Sequence, residues 1–165
     1  MTDDRPLVVG IGNAWRRDDA VGLVAARRLR AQLGDRVVVS ECSGDLSSLL
    51  HLWQHRPLVV LVDAMDGGVP GAVHRLAPHG DGTRLALPTS LHSTHALGVA
   101  DAIALGEAIG MHPARLVLYA VGGAAWGMGD GLSPEVEGAL PALCARIIDE
   151  LAAVAPAAVP PGGRA

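Results

Sequence analysis

The chain has 165 residues, half of them apolar (50%), with 13 basic against 17 acidic side chains and a net charge of −4. That length and apolar content suit one domain with a sizeable core. The charge argues against a nucleic-acid surface or a polybasic membrane patch, and two cysteines, Cys42 and Cys144, are too few for a disulfide scaffold or a zinc knuckle. The acidic opening MTDDRPLVV lacks an apolar leader core, and no apolar run approaches the ~20 residues of a membrane helix. A cytoplasmic protein with reduced thiols is expected.

Apolar runs of strand length alternate with helical segments along the chain. The run 6–12 (PLVVGIG) predicts a first strand, and a helix follows over about 18–33. A second strand is expected at 36–42 (RVVVSEC), a helix at 46–54 and a third strand at 57–64 (PLVVLVDA). The short segment 71–77 (GAVHRLA), after a Gly-Gly-Val-Pro-Gly turn, reads as an antiparallel edge strand. A helix entered through SLHSTH runs to about residue 109, with Leu97, Ala100, Ile103 and Ala104 on one face. The run 115–123 (RLVLYAVGG) predicts the last strand. The final helix spans about 133–154, with Ser133 as N-cap, Pro134 in the first turn and an apolar stripe of Val136, Leu140, Leu143, Ile147, Leu151 and Val154. Pro141 lacks an amide hydrogen, so a kink or a late restart is expected there. The tail 155–165 (APAAVPPGGRA) has no periodicity and reads as a disordered end, leaving 1–154 as one domain.

Continuous apolar strands read as buried on both faces, the mark of a parallel sheet. The expected fold is therefore an α/β class, three-layer α/β/α sandwich around a mostly parallel five-stranded sheet, with one antiparallel edge strand. In such sheets ligands gather at the carboxyl ends of the strands. After the first strand stands GIGNAWRRDDAVG, residues 10–22. After the third stands Asp63-Ala64, and His92, Ser93, Thr94 and His95 lead into the third main helix.

The first loop is not a dinucleotide fingerprint, because Trp15 occupies the position of the third glycine. A tight turn that presents the acidic pair is the better reading. Asp18 or Asp19, Asp63 and a histidine could gather as ligands of a divalent transition metal, or share a proton in acid–base chemistry. The plain alternatives are a helix cap for Asp18 or Asp19 and a surface position for His95 or His92. Asp63 ends an apolar run, where a carboxylate must be solvated, paired or a ligand.

These residues resemble the endopeptidases that mature nickel–iron hydrogenases. The likeness rests on the Gly-Ile-Gly-Asn turn with an acidic pair before a helix, Asp63-Ala64 closing the third strand, STHALGVADAI, and the late GLSPEVEGALPAL. It implies removal of a short C-terminal extension from the precursor of a nickel–iron hydrogenase large subunit. It also implies that Asp19, Asp63 and His95 contact the nickel that the precursor presents. No permanently bound cofactor is then expected, though cadmium or zinc could stand in for nickel in crystals, and a monomer is expected.

Many members of that family carry Asp-Gly-Gly-Thr after the second strand, where this chain has Glu41-Cys42-Ser43-Gly44-Asp45. Cys42 is then either an inert small apolar side chain or a soft contact for the metal. Two other readings are a non-proteolytic metal- or partner-binding maturation factor and a peptidyl-tRNA hydrolase. The second shares a similar glycine turn but needs a following His-Asn pair, which is missing here, and a basic surface.

Overall fold

The computed structural model describes residues 3–77 and 96–154. They form β1 (Leu7–Ile11), α1 (Val21–Leu33), β2 (Val38–Cys42), α2 (Leu46–Trp53), β3 (Val59–Met65), β4 (Val73–Leu76), α3 (Ala96–Ile109), β5 (Leu116–Gly122) and α4 (Pro134–Ala152). A 3₁₀ turn, Arg17–Ala20, leads into α1. The tail 155–165 lies outside the described residues. Among those described, no helix is long and apolar enough to cross a membrane.

The strands form one sheet in the order β2-β1-β3-β5-β4, parallel throughout except for β4, which runs antiparallel on the edge. The fold is the expected α/β sandwich. Alternation along the strands divides the core in two. Val8, Val60, Val62, Val117, Tyr119 and Val121 face α1 and α4. Leu7, Val9, Ile11, Val59, Leu61, Leu116 and Leu118 face α2 and α3.

Three local expectations are corrected. First, β2 is only half-buried along its whole length, because it is the other edge of the sheet; an apolar run does not tell an edge strand from a central one. Second, Ile103 is buried on α3 as expected, together with Val99 and Ala102, but Ala100 is half-buried and Ala104 exposed; the Leu97 side chain lies outside the described residues. This helix is apolar on nearly every side, so periodicity singles out no face. Third, α4 starts at Pro134 and runs through Pro141 without a restart. Pro141 is exposed and so is Glu137, whose carbonyl loses its helical partner, so water can satisfy that carbonyl.

Ser133 and Pro134 take their expected places, yet the Ser133 side chain does not cap its own helix. Its hydroxyl is used elsewhere, at the carboxyl end of the sheet.

Candidate active site

The opening glycines make room for backbone rather than for phosphate. A Cβ on Gly12 would lie 2.0 Å from the carbonyl oxygen of Asp19. A Cβ on Gly22 would lie 2.3 Å from the Val62 carbonyl and 2.4 Å from that of Ile11. The turn therefore closes on the acidic pair, and the start of α1 rests directly on β1 and β3. Asn13 fixes the turn by accepting the Trp15 N–H on Oδ1 at 2.9 Å, a local Asx bond. The left-handed residue of this loop is Arg17, at φ 46. It is held there by its own N–H to Gly129 and by the Asp18 N–H to Ala125.

The two neighbouring aspartates have different surroundings. Asp18 is fully buried (0% exposed). Its Oδ2 accepts from the backbone N–H of Ala124 and Ala125 and from the Ser133 hydroxyl, each at 2.8 Å. Its Oδ1 accepts the Ser133 N–H at 2.7 Å. Asp18 thus bolts the 3₁₀ turn to the β5–α4 loop and to the amino end of α4, where negative charge is favoured. Burial pushes its pKa up, but the hydrogen bonds from Ser133, Ala124 and Ala125 outweigh burial and hold it below the ordinary value.

Asp19 is 2% exposed and Asp63 4%. The 3₁₀ turn that carries Asp19 lies against β3. Asp63 stands near the carboxyl end of β3, next to Val62, whose carbonyl faces Gly22, and its Oδ1 accepts the Ala64 N–H at 2.8 Å. By strand alternation Asp63 shares a sheet face with Ile11 and Leu61, the face covered by α2 and α3. Cys42 stands opposite Ile11 on β2 and packs on that same face. Burial raises the Cys42 thiol pKa, and the Asp45 and Asp63 carboxylates push it further up. The first turn of α3 meets this end of the sheet as well: a Cβ on Gly98 would lie 2.8 Å from the Gly44 carbonyl.

His95 and His92 lie outside the described residues. Among those described, no three His, Cys, Asp or Glu side chains gather as metal ligands. Of the segment that departs from the family pattern, Glu41 pairs with Arg27 and Arg30 of α1. Asp45 caps α2 by accepting the Ser48 N–H at 2.9 Å. Cys42 remains as the member of that segment on the Asp63 face. A cavity of ≈ 340 Å³ lined by Pro6, Leu33, Arg36, Val37, Ile148 and Leu151 has no carboxylate in its wall, so size alone does not mark the site.

The sequence gives no role to the loop 124–130, although it too follows a strand. Its glycines and the N-cap Ser133 were the available signal. Tertiary structure makes this loop the partner of Asp18.

Comparison with known proteins agrees with this architecture. No curated protein matches the chain by sequence. Among solved structures, the hydrogenase maturating endopeptidase HybD from E. coli is 28% identical, with a TM-score of 0.75 over 90% of this chain and 93% of that one. The [NiFe] hydrogenase maturation protease HybD from Thermococcus kodakarensis is 27% identical, with a TM-score of 0.73 over 90% and 99% of the two chains. HycI from the same archaeon, at 23% identity and a TM-score of 0.64 over 90% and 92%, shares the fold. The model of the hydrogenase maturation protease family HycI matches residues 27–150, about three quarters of the chain, and the chain therefore belongs to the hydrogenase maturation protease family.

Proposed function

We propose that this protein removes the C-terminal extension from the precursor of a nickel–iron hydrogenase large subunit, and that Asp19, Asp63 and His95 contact the nickel carried by that precursor. The observation that supports this reading most is the pair of buried carboxylates, Asp19 and Asp63, on adjacent elements at the carboxyl end of a maturation-protease sheet. Nickel is part of the substrate here, so the enzyme works without a resident cofactor. The three side chains orient the scissile peptide, and the ion polarises its carbonyl. Water adds to the carbonyl carbon and loses a proton, the C–N bond breaks, and the departing amine gains a proton. A carboxylate at the site can carry that proton from one to the other. Asp18, with four donors already on its two oxygens, is a positioning residue.

The test is mass spectrometry of a nickel-loaded precursor before and after incubation with wild type, Asp63→Asn and His95→Ala. Loss of a C-terminal peptide with wild type and its retention with both variants are expected. An unchanged precursor mass with wild type would point to a non-proteolytic maturation factor. Full activity of both variants would remove the assignment of these residues.

A further inference from the structure

Among the described residues, five large apolar side chains are exposed: Trp15, Val69, Leu105, Ile109 and Met128. Leu105 and Ile109 lie on α3. The other three share one end of the molecule. Trp15 (66% exposed) follows β1, Val69 (72%) follows β3 and Met128 (74%) follows β5. These three strands are neighbours in the sheet, so the feet of their loops stand within about 10 Å of one another. All three loops leave the carboxyl end, where Asp19 and Asp63 lie.

Two of the loops are laced together. Arg16 and Gly129 form a parallel bridge, so their predecessors Trp15 and Met128 occupy matching positions. The Gly129 N–H donates to the Trp15 carbonyl at 2.9 Å, and the Arg17 N–H to the Gly129 carbonyl at 3.1 Å. Asp18 fastens the same two loops from beneath. Three exposed apolar side chains around a carboxylate site, two of them on interlocked loops, differ from scattered surface residues. Fixed loops also lower the entropic cost of binding.

We propose that Trp15 and Met128, with Val69, form an apolar docking rim on which the precursor polypeptide seats beside its scissile bond. This rests on the endopeptidase reading above. The loop of Trp15 carries Asp19, and the strand of Asp63 runs into the loop of Val69, so a chain lying on those carboxylates crosses the rim. A second copy of this protein seated there would cover Asp19 and Asp63 and close the site the reaction needs open. The occupant is therefore the substrate, and it must offer apolar side chains flanking the cleavage point.

The experiment compares wild type, Trp15→Ser/Met128→Ser and Trp15→Phe. It measures cleavage kinetics on the nickel-loaded precursor, its binding by surface plasmon resonance, and each protein's own mass by analytical ultracentrifugation. Thermal unfolding confirms that the exposed substitutions leave the fold intact. The double variant should raise KM and weaken binding by at least about tenfold, with kcat changed far less, while Trp15→Phe, which keeps an apolar ring, should lose less than the double variant. Wild-type cleavage with an unchanged KM in the double variant overturns the rim and leaves the endopeptidase reading standing. Wild-type binding without cleavage, lost in the double variant, upholds the rim and removes the endopeptidase reading. Absence of both binding and cleavage in wild type overturns both. Self-association that the double variant abolishes, with precursor affinity unchanged, assigns the patch to a second copy and overturns the proposal.

Discussion

Replacing Asp18 is the sharpest probe of how the candidate site is built. Four donors converge on its buried carboxylate at 2.7 to 2.8 Å. Asp18→Ala leaves three backbone N–H groups and one hydroxyl to find other partners. Each orphaned buried donor costs about 1–3 kcal/mol, and relaxation of the loop with entry of water recovers part of the sum. A net loss of about 4 kcal/mol is expected, or roughly 10 °C in Tm for a protein of this size.

Asp18→Asn is milder. Its amide oxygen can keep the three donors now on Oδ2, and its NH₂ then faces only the Ser133 N–H. One mismatch and the lost charge cost about 2–3 kcal/mol. The pH dependence has a definite sign. The folded pKa of Asp18 lies below its ordinary value. Its stabilisation is thus complete above the unfolded pKa of about 3.9 and is lost as pH falls through the folded value. The gap between wild type and Asp18→Asn, measured by urea unfolding, should be full at pH 7 and should narrow on acidification. A variant within about 0.5 kcal/mol of wild type at pH 7, or a gap that persists undiminished into strong acid, would refute the bolt.

Two helix glycines separate close packing from intrinsic propensity. Gly22→Ala drives a methyl into the carbonyls of Val62 and Ile11 and should cost about 3 kcal/mol or more in thermal unfolding. Gly138→Ala in α4 meets nothing within 4 Å and should stabilise by about 0.5–1 kcal/mol. Glu150 binds Arg75 of β4 at 2.7 Å, Arg115 at 2.7 Å and the Tyr119 hydroxyl at 3.1 Å, tying the edge strand to α4. Glu150→Ala should cost about 1–3 kcal/mol and speed amide exchange in β4 selectively; unchanged exchange there would refute the tie. Burial raises both thiol pKa values, so iodoacetamide at pH 7 should label Cys42 slowly and Cys144 only after denaturation, as peptide mapping can report. Rapid labelling of Cys144 in the folded protein would contradict its place in the core.

The alternation of apolar runs with amphipathic segments was enough to establish the strands, the helices and the antiparallel edge, because burial imposes a period that local sequence carries. The strand-end rule likewise singles out Asp63 and the acidic pair from the sequence. Local pattern could not divide labour between Asp18 and Asp19. They are neighbours in the chain, and what separates them is a loop more than 100 residues away that supplies Asp18 with its four donors. Nor could it tell that β2 lies on an edge, which face of the mostly apolar α3 is buried, or that Trp15 and Met128 stand at matching positions. Each of these depends on which distant segment arrives as a neighbour. Tertiary packing decides that, through hydrogen bonds and close approaches that no local periodicity encodes.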